Sequence, residues 1–333
     1  MTGPGGSIRA ARLSDRQALV DLSRQVHDSA EGFRRSLGVP AHSAEPPRIS
    51  LATLMPSWLP LRPPSVHLVA ESNGRLVGSC RAIEEPHRDD WVITELDAAA
   101  SPMAGEVRFA LLQALVEEGG KRNVARYHAA CADVPENMEL FGQLSFMAYA
   151  HEEIWYRPPN GHAAVTAAAG EPMVVAAASD AWHLFDLWTH TTPPAIARIE
   201  GYGAADWEPV GHEGVVPRSS LNPLLHFSDV HGWLLPDGQR VAGFAQHGAC
   251  RAGPHYLRFL VRDGADGAGF LAAVLAVVGG EALAAGILAP VRTYEATGRQ
   301  AAADTGFEAV GQVIMLVREV RATVRQPAMV PAV

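Results

Sequence analysis

Gly74-Arg75-Leu76-Val77-Gly78 and Gln239-Arg240-Val241-Ala242-Gly243 read alike, and their closing glycines stand 165 residues apart. Each run follows a tight turn. Ser72-Asn73-Gly74 carries the Asn-Gly pair favoured in two-residue hairpins, and Pro236-Asp237-Gly238 turns the chain in the second copy. A second pair of landmarks, Phe146 and Phe307, repeats at 161 residues. An offset this constant between landmarks this far apart is the mark of a duplicated unit.

Outward from the first hairpin, periodicity predicts strands at Ser7 to Ala11, Val66 to Glu71, Leu76 to Ile83 and Trp91 to Asp97. Ser14-Asp15-Arg16-Gln17 opens a helix to about His27, and a Pro-rich irregular stretch runs from Gly38 to Pro64. Gly105 to Gly119 has helical spacing through Val107, Leu111, Leu112 and Leu115. A strand at Arg126 to Ala132, a short helix at Glu136 to Leu144 and a closing strand at Phe146 to Tyr156 complete the half. The second half replays the order. Strands are expected at Met173 to Ala177, Val230 to Leu235, Arg240 to Cys250, His255 to Arg262, Pro290 to Glu295 and Phe307 to Arg318, with helices from Ser179 to about His190, Gly269 to Val278 and Arg299 to Thr305. The division is residues 1–156, a linker at 157–171, a second domain at 172–323 and a tail at 324–333.

Composition limits the functions. The chain has 333 residues, enough for two domains, with 48% hydrophobic and 19% charged residues, enough apolar content for packed cores. Its net charge of −9 argues against a nonspecific nucleic-acid binder, which needs a basic face. Lys121 is the single lysine, so a P-loop lysine elsewhere is excluded and Schiff-base chemistry is disfavoured. Cys80, Cys131 and Cys250 are too few and too far apart for a disulfide framework or a zinc site, which suits a reduced, cytoplasmic setting. No signal peptide is read at Met1 to Gly6. The apolar run Ala268 to Pro290 is interrupted by Gly279-Gly280-Glu281, so it is expected as a buried helix ending at the double glycine, then a short apolar segment.

This order resembles the GNAT acyltransferase fold, and the resemblance covers both halves. It is carried by the two hairpin runs, by Trp91 to Leu115 as strand, loop and helix, and by Asn137-Met138-Glu139-Leu140-Phe141-Gly142-Gln143-Leu144-Ser145-Phe146, with Thr305-Gly306-Phe307 as the matching pair in the second half. The resemblance implies an α/β (α+β) fold of two tandem domains, each a mixed, mostly antiparallel sheet flanked by helices. It also implies acetyl-CoA or another acyl-CoA as co-substrate, no metal, and transfer to the amine of a small molecule. A homodimer is compatible with it, and neither nucleic acid nor membrane is an expected partner.

In that family a glycine-rich loop opening a helix presents backbone amides to the pyrophosphate, because a helix N-terminus attracts anions and side chains would block close approach. In the first half the resemblance puts Glu106 and Arg108 where glycines belong. The second-half loop, Val261 and Arg262 through Gly264 to Gly267, Ala268 and Gly269, keeps glycines at both places and is the better candidate, although Asp263 and Asp266 are unfavourable to an anion. The first half is then a degenerate copy. An ordinary glycine-rich turn is the alternative for either loop.

The family's usual acid, a Tyr five residues before the closing Phe, is Phe141 in one half and Ala302 in the other. Tyr294 is the substitute candidate, against a plain core tyrosine. For the base, the resemblance points to Glu95 on a central strand, with alternation placing Trp91, Ile93 and Glu95 on one face; the alternative is a structural pair with Arg81. In the second half His255 is the candidate, with Glu295 and His247 beside it. The spacing His226 to His231 is superficially metal-like but lacks a flanking cluster. Trp182, Trp188, Trp207 and Tyr202 form either a substrate-binding wall or core, with Trp182 and Phe185 favoured as core by their spacing. The reading is an N-acyltransferase; its rival is a tandem scaffold that has lost catalysis.

Overall fold

The fold is that of a computed structural model, which describes residues 2–3, 6–28, 54, 65–85, 88–159, 173–221, 227–251 and 253–320. The expected tail, most of the linker and of the Pro-rich stretch, and His226 lie outside the described residues. The first half runs β1 (Thr2–Gly3), β2 (Gly6–Ala10), α1 (Arg16–Asp28), β3 (Ser65–Ser72), β4 (Arg75–Glu84), β5 (Asp90–Ala98), α2 (Ala104–Lys121), β6 (Arg126–Ala132), α3 (Pro135–Gln143) and β7 (Met147–Arg157). The second runs β8 (Val174–Val175), α4 (Ala181–Thr191), α5 (Pro194–Glu200), β9 (Phe227–Asp237), β10 (Arg240–Cys250), β11 (His255–Val261), α6 (Gly267–Ala285), β12 (Ile287–Arg292), α7 (Ala296–Asp304) and β13 (Glu308–Glu319). The apolar run at Ala268 to Pro290 is thus α6 and β12. Its helix is broken at Gly279, whose φ of +81° is non-helical, and no helix among the described residues is long and apolar enough to cross a membrane.

All strands join one sheet of order β1-β2-β3-β4-β5-β6-β13-β7-β12-β11-β10-β9-β8. The closing strands are exchanged. β13 pairs with β6 of the first half, from Val313 against Ala132 to Glu319 against Arg126, while β7 pairs with β12 of the second, from Ile287 against Arg157 to Arg292 against Glu152. β7 and β13 also pair with each other. Each repeat's sheet is therefore completed by the other's last strand.

Two pairs of neighbours are parallel, and both part early. β5 and β6 are bonded only from Asp90–Arg126 to Ile93–Ala129, although both strands continue beyond. β11 and β12 are bonded only at His255–Ile287 and Tyr256–Leu288. On one face α2 packs Val107, Leu111, Leu112 and Leu115 over Trp91, Ile93, Leu96 and Cys131, and α6 packs Phe270, Leu271, Val274 and Leu275 over Leu257, Phe259 and Ile287. On the other, Leu19 of α1 meets Val69, and α4 sets Leu184, Leu187 and Trp188 against Phe244 and Leu260. Trp188, Trp207 and Tyr202 are core in this second cluster. Trp182, expected inside by spacing, is 64% exposed; its contact is the ring of Phe185 alongside it.

The seam between the halves is ionic and buried. Arg218 donates to Asp90 at 3.0 Å, to Glu85, and to the Glu200 carbonyl at 3.1 Å, and its guanidinium lies 5.1 Å from the Tyr202 ring centroid. Arg292 faces Glu152 at 3.0 Å and Glu200 at 3.1 Å, while Glu152 also accepts from the Ser220 backbone at 2.9 Å. Buried charges are tolerable only when paired and hydrogen-bonded like this.

Candidate active site

The first-half site begins with an irregularity in one strand. Along β4 and β5, Arg81 is opposite Glu95 but Ala82 is opposite Ile93, so Thr94 is an extra residue in β5. Such a bulge reverses the alternation of side chains beyond it. Trp91 and Ile93 therefore share the α2 face with Leu96 and Ala98, whereas Glu95 and Asp97 turn to the face of α1. This corrects the simple alternation, which put Glu95 beside Trp91 and Ile93.

On that face Glu95 accepts from the Ser79 hydroxyl; Ser79 Oγ lies 2.9 Å from His67 Nε2, and His67 is 3.7 Å from the carboxylate. Arg81 Nε is 4.0 Å from Glu95 and donates to Thr94 Oγ1 at 3.1 Å. All five side chains are buried. Burial by itself would raise the Glu95 pKa, but the adjacent His67, the Arg81 charge and the Ser79 hydroxyl outweigh it and hold this carboxyl below its ordinary value. Asp97 is the opposite case. Burial and the neighbouring Glu95 charge push it well above the usual carboxylate range, against the weaker pull of Arg108 and Arg81. Two carboxyl groups thus share one face with their pKa values pushed in opposite directions.

The helix that follows the splay in this half, α2, has no side-chain cap on its first turn, and a Cβ built on Gly105 would meet nothing within 4 Å. The Ala104 amide donates to the Ser101 carbonyl at 3.1 Å, and the uncapped first turn beyond it can receive an anion. Arg108, one turn in, is buried and donates to Asn137 Oδ1 of α3 at 2.6 Å, while Asn137 donates to the Ala132 carbonyl at 3.0 Å. The buried Arg108 guanidinium thus ties α2 to α3. Glu106 in the same turn opposes an anion.

In the second half the expected loop does open α6 at the end of β11, and Gly264 takes its left-handed φ of +86°. Its amides are already engaged. Asp266 accepts from the Gly269 amide at 2.8 Å, and a Cβ on Gly269 would fall 2.2 Å from that carboxylate. A Cβ on Gly267 would lie 3.2 Å from Ala301 and 3.3 Å from Val261, so this glycine permits α6 to approach α7. Thr297 donates to Asp263 across the mouth at 2.8 Å. Arg262 turns away, donating to the Val241 carbonyl at 2.9 Å and pairing with Asp186 of α4. The residues around Ala268 thus fit a self-capped helix better than a pyrophosphate cradle.

The second-half catalytic candidates are not brought together. His255 lies at the bonded end of β11, stacked on His247 with Nδ1 2.8 Å from its Nε2. Tyr294 stands beyond the far end of β12, its phenol pKa raised by burial. The position matching Glu95 is filled by Arg258, which is locked to Glu295. Phe141 and Ala302, at the two places of the usual acid, are fully buried in core. Sequence reasoning reached Glu95 but missed Asp97, Ser79 and His67. The available signal was Thr94-Glu95-Leu96-Asp97 itself, two carboxylates two residues apart in a strand flanked by apolar residues. Among the described residues no group of three metal-ligating side chains occurs.

No family model matches the sequence, and no curated protein does. Solved structures match in shape. A tandem GNAT protein from the clavulanic acid biosynthesis pathway is 12% identical with a TM-score of 0.58, covering 96% of this chain and 99% of its own. A GCN5-related N-acetyltransferase from Sphaerobacter thermophilus is 14% identical with a TM-score of 0.55, covering 97% and 98%. The described residues have the tandem GNAT fold.

Proposed function

We propose that this tandem GNAT fold serves an acyl-CoA-dependent N-acyltransferase, acting on the amine of a small molecule, with its reacting centre in the first half. The observation that carries the reading is the bulge at Thr94, which turns Glu95 and Asp97 together onto the α1 face just where β5 leaves β6. The co-substrate supplies an acyl thioester. The α2 amides near Gly105, with the Arg108 guanidinium, would hold its phosphates. The ionised Glu95 draws in the acceptor's ammonium. Its proton leaves through Glu95, which the Ser79 hydroxyl and the His67 ring hold in place.

A second reading is favoured by separate observations: the usual acid positions hold Phe141 and Ala302, and Asp266 caps the second-half loop. On that reading the chain is a non-catalytic scaffold of the same fold. Acetyl-CoA at roughly 100 times a micromolar dissociation constant should stabilise the protein by about 2.7 kcal/mol, visible as a raised Tm. Glu95→Gln should keep that stabilisation and lower acetyl transfer to a panel of small amines by roughly 10²–10⁴-fold. An unmoved Tm and no transfer by the wild type would leave the scaffold reading standing.

A further inference from the structure

We propose that Asp97 is the acid that protonates the departing thiolate, taking the role left empty by Phe141; this rests on the reading above. Three features carry it. Asp97 is 4% exposed, and no hydrogen bond or ion pair to another described residue engages its carboxyl group. It shares its face with Glu95, two residues away along β5, about 6.6 Å at the rise of a strand. It also lies in the part of β5 beyond Ile93, where pairing with β6 has ceased and the strand edge is open to a ligand.

A buried carboxyl group with no partner is neutral unless a cation compensates it. The charged groups that act on Asp97 are Glu95, which favours the neutral form, and Arg81 and Arg108, which oppose it more weakly. Arg81 is engaged by Thr94 and Glu95, and Arg108 by Asn137. The proton is therefore retained by Asp97 and available for donation. During transfer the amine nitrogen forms its bond to the thioester carbonyl carbon and the carbon–sulfur bond breaks with its electron pair on sulfur. Asp97 gives its proton to that sulfur, yielding the free thiol. Of the two protons that the ammonium loses, one leaves through Glu95 and the other restores Asp97.

Two measurements test the assignment. The infrared spectrum of the full-length protein at pH 7, without co-substrate, should contain a protonated-carboxyl stretch that is absent from Asp97→Asn. No such difference overturns the proposal, whatever the activity. Acetyl transfer to the same amine is then compared for acetyl-CoA and for S-(4-nitrophenyl) thioacetate, whose thiolate needs no proton to depart. Asp97→Asn should slow the first by roughly 10²-fold or more and the second by under about threefold. Equal slowing with both donors overturns the acid role and leaves the acyltransferase reading intact; a wild type that transfers from neither overturns both. Asparagine is nearly isosteric and neutral, so an unchanged Tm should accompany the kinetic loss.

Discussion

Replacing Arg218 with alanine tests whether the two halves are held in place by their buried ionic seam. The side chain is 1% exposed and bonds Asp90 and Glu85 of the first half and the Glu200 carbonyl of the second. Its removal takes from the buried Asp90 its 3.0 Å partner and leaves it His128 at 3.7 Å and Arg126 at 3.8 Å. Breaking a buried pair from one side costs about 3–5 kcal/mol, because the surviving charge has lost its compensation. At roughly 2–4 °C per kcal/mol for a large domain, the Tm should fall by roughly 6–20 °C. Differential scanning calorimetry at pH 7 reads this directly. The loss should also depend on pH with a definite sign. In the wild type Asp90 is held below its ordinary pKa: burial would raise it, but His128 and Arg218 outweigh that, so its stabilisation is present above about pH 4 and fades as acid is added. The variant lacks that stabilisation from the start, and the gap between the two proteins should narrow as pH falls below about 4. Asp90→Asn combined with Arg218→Ala should cost less than the sum of the single changes. A Tm drop under about 2 °C, or a gap that widens in acid, would refute the role assigned to the seam.

Gly119→Ala offers a contrast in sign. Alanine in a helix interior normally gains about 1 kcal/mol over glycine, but here the new Cβ would lie 2.0 Å from the Tyr127 hydroxyl, which donates to the Val116 carbonyl; urea unfolding should show a loss of about 1–3 kcal/mol instead. Asp266→Ala removes the cap on α6 and should cost about 1 kcal/mol by the same assay, while acetyl-CoA still raises the Tm as in the wild type if the co-substrate sits in the first half. His247 is lowered to about 4 by burial and by the charge of His255, so it stays neutral when an unfolded imidazole would already be protonated. Its contribution is therefore present above about pH 6.5 and is lost as pH falls from there to 4. His247→Phe should flatten the stability profile in that window, as measured by thermal melts from pH 7 to 4.

The duplication, the order of the elements and both hairpin turns were legible in the residues, because turn chemistry and hydrophobic period are local properties. The position of Glu95 was legible too, but its face was not. A bulge at Thr94 is a misfit between two strands, and neither strand encodes it alone. The same limit hid Asp97, whose raised pKa follows from burial supplied by distant parts of the chain and from Glu95 beside it. It also made Gly267 and Gly269 look like a phosphate cradle, when α7 and the Asp266 cap account for them. The exchange of closing strands was beyond local reading altogether. β13 sits beside β6 at the far side of nearly the whole second half, and edge complementarity chooses its neighbour only once both halves have collapsed. The sequence by itself determined which elements form and that they form twice. Only the tertiary structure decided which strand completes which sheet and which carboxyl group has its pKa raised, because pairing and desolvation are properties of neighbours in space.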